Sequence, residues 1–340
     1  MNRRHLIAAA VLVALASACS EPAPPPPPPP APAPATADAR IKLYTTCWDQ
    51  FNAKAFDQFQ NCFSDDATSE AVDSVQPKLT GRAAIMDVIK KEAESFPDRK
   101  GELKLVLGNG SRIAGVALYT ATNTGPMPGP DGKPMPATNK KIGLLMGHTI
   151  ELDAMGTHAA RESAYVEEGT VAGQLGLSKH AGVRPVMAAT GGAPEIVIAK
   201  NDATETANIA AVRAMMDAGN KHDIKAVEAM LTDDYKLVEI GQPKDLDKKA
   251  AIASNKDFLK AFPDITSTAS DVWAAGDYVV IVGKVDGTNK GAFPGMGIMK
   301  ATGKKFTGRF LEICKMENGK VKQDWLFYNG STLATQLGMK

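Results

Sequence analysis

The chain has 340 residues, and its 39 Lys and Arg side chains nearly balance its 38 Asp and Glu side chains, which leaves a formal net charge of +1. So neutral a chain indicates neither a basic surface for nucleic acid nor an acidic one, and we expect no nucleic-acid partner. Walker loops, HExxH and paired CxxC sequences are lacking. We therefore predict no nucleotide or other cofactor and no structural metal.

The N-terminal residues have the pattern of an export signal. Two arginines precede an apolar run at 6–16, which is too short to span a bilayer as a mature helix. Small residues at 16–18 stand directly before Cys19. This pattern resembles a bacterial lipoprotein signal, and the resemblance implies a signal peptide at 1–18 and lipidation of Cys19. An ordinary secretory signal cleaved near Ala18 is the alternative.

The segment 19–37 consists largely of Pro and Ala. A segment of this composition cannot form a hydrophobic core and favours a stiff polyproline-II stalk. Ser20, rather than Asp, follows the cysteine, and the sorting rule of such lipoproteins then implies the outer membrane. We expect a lipid anchor in the membrane of a bacterial cell envelope, with the folded part in the periplasm.

The remaining residues carry one pattern twice. Apolar residues at helical spacing recur 168 positions later, in the pairs Ile41 and Ile209, Tyr44 and Val212, and Cys47 and Met215. Residues 96–98, Phe-Pro-Asp, return at 262–264, and strand patterns follow in both copies. The period indicates duplication, with domain 1 at 38–177, a linker at 178–204 and domain 2 at 205–340. Within the linker, 196–198 is a candidate short strand.

Helices followed by a run of strands predict the α+β class. Asn318-Gly319 is a strong hairpin turn sequence, because both residues tolerate positive φ. We expect two tandem cone-shaped domains, each a curved antiparallel sheet packed against about three helices. Such a cone leaves a pocket at its open end.

Several short stretches of domain 2 form a recognisable set: 261–264, 276–280, 287–291, 302–304, 318–321, Trp325 and 336–338. In these residues domain 2 resembles a SnoaL-like polyketide cyclase domain of the nuclear transport factor 2-like superfamily. Domain 1 matches less well and is recognised mainly through domain 2. The resemblance implies an apolar cavity and, in catalytic members, a carboxylate that acts as acid and base without cofactor or metal.

The family's acid/base carboxylate lies four residues after the Trp, and here that position is Asn329. An amide neither takes up nor releases a proton at useful pH, so general acid/base work is lost there. Asn289 likewise stands in place of the family's His. Domain 1 keeps a carboxylate, Glu167, at the position of Asn329, and Asn123 matches Asn289.

Strand alternation places Glu167 on one face with Arg161 and Tyr165, while His148 lies among apolar residues of the neighbouring strand. We predict Glu167 and His148 as the catalytic pair, because burial would raise the carboxyl pKa and lower the imidazole pKa. The alternative is a hydrogen-bonded core histidine and a solvated strand-end glutamate. Further pocket candidates share these strands, their ends or their repeat positions: Tyr165, Arg161, Asn123, Asn289, Glu312, Trp325 and Asn329.

Two acidic pairs, Asp65-Asp66 and Asp233-Asp234, stand at equivalent places in the two copies. Each follows a predicted helix and lacks additional oxygen ligands nearby. We predict helix-end turns or caps there rather than metal ligands.

Cys47 and Cys62 lie on the buried faces of consecutive predicted helices of domain 1. Two small apolar core residues and a disulfide that staples the helical hairpin both fit this placement. Cys314 has no partner within domain 2 and is predicted to be a buried thiol.

Two functions remain open. The favoured one is an envelope lipoprotein that binds a small, mostly apolar molecule without catalysis. The alternative is a cofactor-independent acid/base enzyme, cyclase, isomerase or hydrolase-like, with domain 1 catalytic. Asn329 favours binding, whereas Glu167 leaves catalysis open. Because members of the superfamily often pair through the outer faces of their sheets, we also expect the two domains to pair with each other.

Overall fold

The structure, a computed structural model, describes residues 33–129, 133–178, 183–294 and 297–339. The predicted signal peptide, Cys19 and most of the stalk lie outside these residues. Both domains belong to one compact unit, Pro34–Lys340. Among the described residues, no helix has the length and apolar character needed to cross a membrane.

Domain 1 begins with helices and continues with strands. Its elements are α1 (Ala37–Asn52), α2 (Phe56–Phe59), a 3-10 turn (Gln60–Cys62), β1 (Phe63–Ala71), β2 (Leu79–Thr80), α3 (Arg82–Ser95), β3 (Lys100–Asn109), β4 (Arg112–Thr122), β5 (Met127–Pro128), β6 (Pro134–Met135), β7 (Lys141–Leu152), β8 (Ala159–Tyr165) and α4 (Glu168–Gln174).

The linker contributes β9 (Glu195–Ile198), and domain 2 then repeats the order of domain 1. Its elements are α5 (Ala203–Asn220), α6 (Ile224–Ala229), β10 (Leu231–Glu239), β11 (Leu246–Asp247), α7 (Lys248–Ala261), β12 (Thr266–Ala275), β13 (Tyr278–Thr288), β14 (Lys305–Glu317), β15 (Lys320–Phe327) and α8 (Gly330–Gln336). The α+β prediction is confirmed.

Local sequence explains several element boundaries. Asp202 caps α5, since its carboxylate accepts a hydrogen bond from the backbone N–H of Glu205 at 3.0 Å. The predicted turn at Asn318 and Gly319 has φ values of 51° and 74° and joins β14 to β15. Both residues adopt positive φ readily, so the hairpin prediction is confirmed.

The strand order is β2-β1-β8-β7-β4-β3-β9 in domain 1 and β11-β10-β15-β14-β13-β12 in domain 2. Neighbours pair antiparallel as predicted, except in three places, and in two of these β1 lies parallel to β8 and β10 parallel to β15. The exception arises because these strands reach their partners through long crossovers rather than hairpins. β9 adds a parallel strand beside β3, which confirms the strand predicted in the linker.

Each sheet has one face toward its own helices and one toward the other domain. Along β4, Ile113 packs with the helices, whereas Val116 belongs to a cluster shared by both domains. From domain 2 that shared cluster includes Val280, Ile313 and Phe327. Gly147 lies so close to Phe327 and Leu311 that a Cβ there would clash at 2.7–2.8 Å. The two sheets therefore contact each other through their outer faces.

A charged contact supplements this apolar interface. Asp73 follows β1 with a φ of 55°, and its carboxylate accepts a hydrogen bond from Nε of Arg309 at 2.7 Å. Glu70 accepts from the same guanidinium at 3.1 Å. Asn329 donates from its side-chain amide to the backbone oxygen of Asp73 at 3.1 Å. The loop after β1 of domain 1 is thereby fixed to domain 2.

Three cysteines lie within the described residues, and they form one disulfide and one free thiol. Cys47 on α1 is bonded to Cys62 at the end of the 3-10 turn, so the disulfide is the alternative that the structure shows. Cys314 is a buried free thiol, as predicted.

The two acidic pairs do not stand at helix ends, contrary to prediction. Asp65 and Asp66 lie within β1, and Asp233 and Asp234 lie within β10. The helices end earlier than the apolar spacing indicated, because Phe63 and Leu231 already belong to strands. The side chain of Asp65 is 94% exposed and lies 3.0 Å from Arg82.

Candidate functional site

Domain 2 contains a cavity of about 350 Å³ between its helices and the inner face of its sheet. This volume falls within the range of about 300–1,000 Å³ that is usual for small-molecule pockets. The wall is mostly apolar and includes Met215, Met216, Val227, Ile252, Phe258 and Phe310. Asp73 of domain 1 also lines it. The cavity therefore suits a small, mostly apolar molecule.

Domain 1 has larger side chains at positions equivalent to those that line the cavity. Phe51 contacts the rings of Trp48 and Phe59, with centroids 5.7 Å apart in each case. The guanidinium of Arg99 lies 4.4 Å from the centroid of Phe51, and the residue is 2% exposed. Aromatic contact with a cation of this kind is favourable. Domain 1 thus packs its interior with its own rings.

The repeat register shows why domain 2 stays open. The positions of Phe51 and Arg99 are Gly219 and Ile265 in domain 2, and both residues line the cavity. A Cβ built on Gly219 would meet nothing within 4 Å. The register is secure because Asn52 and Asn220 make the same pair of backbone hydrogen bonds to the following strand, at 2.7–2.9 Å.

Four carboxyl groups line the cavity, and two of them lie close together on neighbouring strands of the sheet. Glu312 on β14 and Asp324 on β15 both line it, and their oxygens lie within 4.8 Å of each other and of the Cys314 sulfur. Tyr235 donates its hydroxyl hydrogen to Oδ2 of Asp324 at 2.7 Å. Oδ1 of Asp324 is buried and has no hydrogen-bond partner among the described residues. The apolar cavity therefore ends in a polar site with unfilled acceptors.

Burial and mutual repulsion act on this pair. Burial raises the pKa of Glu312, and the neighbouring charge of Asp324 raises it further. Burial also raises the pKa of Asp324, although the nearby thiol of Cys314 and the hydroxyl of Tyr235 oppose the shift. Groups so close titrate together rather than independently. Burial and the neighbouring carboxyl group therefore both favour the protonated form of Glu312.

Domain 1 has a different pair at the equivalent positions. His148 matches Glu312, Glu162 matches Asp324, and Nε2 of His148 lies 2.7 Å from Oε1 of Glu162. Ser69 donates its hydroxyl hydrogen to Oε2 of Glu162 at 2.7 Å. Burial raises the pKa of Glu162, but the charge and hydrogen bond of His148 outweigh it, and the net pKa is lowered. Both oxygens of Glu162 therefore have side-chain partners within the protein.

The structure does not bring the predicted catalytic pair together. His148 lies opposite Ala164 and faces the helices with Glu162, whereas Tyr165 lies opposite Gly147 and faces domain 2. Glu167, beyond the end of β8, accepts a hydrogen bond from the backbone N–H of Gly169 at 3.2 Å and caps α4. Arg161 and Tyr165 share a face as predicted, but that face is the interdomain one, and Glu167 lies beyond the end of the strand. His148 is a hydrogen-bonded, buried histidine.

Glu167 and Asn329 occupy equivalent cap positions. Asn329 caps α8, with its side-chain oxygen accepting from the backbone N–H of Ser331 at 3.2 Å. Burial raises the pKa of Glu167, although backbone N–H groups from Gly169 and Ser331 oppose the shift. Of the predicted pocket residues, Asn329 and Glu312 line the domain 2 cavity.

Three other predicted pocket residues lie between the domains. Arg161 and Tyr165 line an interdomain cleft of about 550 Å³, together with Arg112 and Asp271. Trp325 is partly buried in the shared cluster, with its ring centroid 6.3 Å from that of Tyr278.

Asn123 and Asn289 are fully buried and hold loops in place. Asn123 donates to the backbone oxygen of Ser95 at 3.1 Å, and Asn289 donates to that of Gly291 at 2.8 Å. Both side-chain oxygens accept a backbone N–H at 2.7 Å. Because these amides are used within the protein, they stabilise loops rather than line a pocket.

Sequence reasoning missed Asp324 and Glu162, and also the contrast between Gly219 and Phe51. One sequence pattern could have found the acids: both copies carry an acidic residue at the same strand position, on the face opposite Arg161. No local pattern shows that Gly219 opens onto a cavity.

Comparison with known families and structures covers both domains. The sequence model for the SnoaL-like polyketide cyclase family matches residues 209–337, and the model for the SnoaL-like domain matches 44–161. No match was found among curated proteins.

Solved structures each resemble a single domain. AclR from Streptomyces galilaeus, a candidate hydroxylase, is 23% identical, with 39% of this chain and 97% of that chain covered and a TM-score of 0.36. A candidate SnoaL-like polyketide cyclase from Jannaschia sp. CCS1 is 19% identical, with coverage of 42% and 98% and a TM-score of 0.38. IdmH, a candidate polyketide cyclase from Streptomyces antibioticus, is 21% identical, with coverage of 39% and 99% and a TM-score of 0.35. With a family match over each repeat, the chain belongs to the SnoaL-like family and carries two of its domains in tandem.

Proposed function

We propose that this chain is a binding protein of the bacterial cell envelope, in which domain 2 holds a small, mostly apolar molecule. The cavity of about 350 Å³ carries this proposal, because its wall is mostly apolar and two of its carboxyl groups lie close together. Domain 1 has filled the same space with Phe51 and Arg99 and acts as a packed partner for domain 2.

Two observations support the envelope location within this proposal. The N-terminal sequence up to Cys19 resembles a lipoprotein signal followed by a stalk. The disulfide between Cys47 and Cys62 fits an oxidising compartment, where such bonds persist.

The binding proposal is tested with the neutral fluorescent probe N-phenyl-1-naphthylamine. We expect saturable binding to the wild type and loss of binding in Gly219→Phe, which places a ring where domain 1 carries Phe51. Gly219→Ala is the matched control, since it changes helix propensity without filling the cavity. Unchanged probe binding by a folded Gly219→Phe protein would show that the probe does not occupy this cavity.

An acid/base enzyme is the second candidate, and the carboxyl pair at the cavity favours it. Glu312 and Asp324 both have raised pKa values and line the space in which a substrate would lie. Once a substrate is found, Glu312→Gln should lower turnover by about 10²–10⁴-fold, the usual effect of removing a positioned acid or base. In the same assay, Glu167→Gln tests the prediction from sequence that Glu167 and His148 are the catalytic pair.

A further inference from the structure

Domain 2 lacks two things that domain 1 provides from its own side chains. Where domain 1 has the ring of Phe51, domain 2 has Gly219 and open space. Where domain 1 places His148 against Glu162, domain 2 places Glu312 near Asp324. The equivalent site is therefore short of both apolar volume and positive charge.

The chain's own cationic side chains do not supply a positive charge to Glu312 and Asp324. Within the described ranges, Arg309 is the one Lys, Arg or His that lines the cavity. Its guanidinium is held by Asp73 at 2.7 Å and by Glu70 at 3.1 Å, and among the described residues these two acids are its ion-pair partners. Glu312 makes no hydrogen bond with any described residue. Nothing in the described part of the chain neutralises the pair.

The unfilled acceptor points into the same site. Asp324 is 3% exposed, and Tyr235 occupies only its Oδ2 atom, which leaves Oδ1 buried without a partner. A buried acceptor without a hydrogen bond is unfavourable, more so when it is charged. A ligand that donates hydrogen bonds and carries positive charge would satisfy Oδ1 and Glu312 together.

We propose that domain 2 binds an amine carried on an apolar body, with the ammonium group donating hydrogen bonds to Glu312 and Asp324. This inference rests on the proposed binding function and names the ligand class. The apolar body replaces the ring that Phe51 provides in domain 1, and the ammonium replaces the contact that His148 makes with Glu162. Aromatic wall residues such as Phe258 and Phe310 also favour a cation. An anionic ligand would be repelled, and a hydrocarbon would leave Oδ1 unpaired.

Binding of a cation is linked to the protonation of the pair. Both carboxyl groups have raised pKa values, so the free site holds a proton that the ammonium must displace. Affinity for the amine should therefore increase as pH rises through the pKa values of the two carboxyl groups. This holds at pH values below the pKa of the amine, where the amine is still charged. Proton release would appear as a dependence of the binding enthalpy on the ionisation enthalpy of the buffer.

The experiment compares amines with isosteric alcohols on the full chain by titration calorimetry. The pairs are benzylamine and benzyl alcohol, naphthylmethylamine and naphthylmethanol, and adamantylmethylamine and adamantylmethanol. We expect at least one amine to bind about 10- to 100-fold more tightly than its alcohol, as for hydrogen bonds to charged groups. Glu312→Gln and Asp324→Asn should remove this preference and leave alcohol affinity unchanged. Asp257→Asn, an equal charge loss on the exposed side of α7, should keep it.

The outcomes separate this inference from the binding function beneath it. Equal affinities within every pair, or no amine binding while N-phenyl-1-naphthylamine still binds, would overturn the amine assignment and leave a neutral-ligand cavity. If the wild-type protein bound no amine, no alcohol and no N-phenyl-1-naphthylamine, the proposed binding function itself would be wrong. If Co²⁺ alone produced a thiolate charge-transfer band that Cys314→Ala abolished, the pair would hold a metal instead of an ammonium.

Discussion

His148 in domain 1 and Glu312 in domain 2 occupy the same position on equivalent strands, but only His148 lies within hydrogen-bond distance of its acidic neighbour. Its imidazole lies 2.7 Å from Glu162, whereas Glu312 lies beside a second carboxyl group, Asp324. One copy of the fold therefore holds a histidine in contact with an acid, and the other holds two acids that repel each other when both are ionised. Removing the acid should have opposite effects on stability in the two domains.

Replacing Glu312 with Gln should stabilise the protein at alkaline pH. A carboxyl group with a raised pKa contributes stability below its unfolded value, about 4.3, and loses it as pH rises through the folded value. Between these two pKa values the free energy of unfolding of the wild type should decrease as pH rises, and that of the Glu312→Gln variant should decrease less. Urea unfolding at several pH values checks this, with Asp257→Asn as the control. A variant less stable than wild type above neutral pH would contradict the raised pKa.

Replacing Glu162 with Gln should destabilise the protein. The pKa of Glu162 is lowered, so its ionised form contributes stability above the unfolded value and loses it as pH falls through the folded value. At neutral pH we expect a loss of about 1–3 kcal/mol in the free energy of unfolding, as for hydrogen bonds to buried charges. Glu151→Gln, an exposed position on the neighbouring strand, should change stability by less than about 0.5 kcal/mol. Equal losses of stability in Glu162→Gln and Glu151→Gln would show that the contact between Glu162 and His148 does not stabilise the protein.

Breaking the disulfide should destabilise domain 1. Cys47 and Cys62 are 15 residues apart, and a loop of that size corresponds to about 3 kcal/mol in the chain-entropy description. Dithiothreitol should lower the unfolding midpoint of the wild type. The double variant Cys47→Ala with Cys62→Ala should start lower and show no response to the reductant. A Cys314→Ala protein should respond as the wild type does, since that thiol is free.

The ion pair between the domains should contribute modestly and depend on salt. The Arg309 side chain is 43% exposed, so solvent screens its contacts with Asp73 and Glu70. Asp73→Asn removes the charge but keeps a residue that tolerates the φ of 55°. We expect a loss of about 0.5–2 kcal/mol that shrinks at high salt. A double-mutant cycle with Arg309→Gln measures the coupling, and a value near zero would exclude this contact as a stabilising one.

Lipidation of Cys19 remains a prediction from sequence. Cys19→Ala should move the protein from the membrane fraction to the soluble fraction and abolish incorporation of labelled palmitate. Cys314→Ala should leave both unchanged. Identical fractionation of the wild type and Cys19→Ala would favour the ordinary secretory signal.

The amino-acid sequence by itself determined the repeat, the order of its elements and several local features. Helical spacing around Ile41 and Ile209, the turn at Asn318 and the strand at 196–198 are all set by residues close in the chain. Such features depend on local backbone preference and on apolar periodicity, which a sequence displays directly. The same periodicity predicted that Arg161 and Tyr165 share a face.

Only the tertiary structure decided which face served which purpose. Both faces of each sheet are buried, one by helices and one by the other domain, so alternation could not tell Glu162 from Arg161 as the residue beside His148. The cavity was likewise decided by packing. Phe51 and Gly219 differ visibly in the repeat, but that difference opens a space only because the position converges with Ile265 and Glu312 from distant elements. Packing between distant elements has no periodicity for a sequence to display.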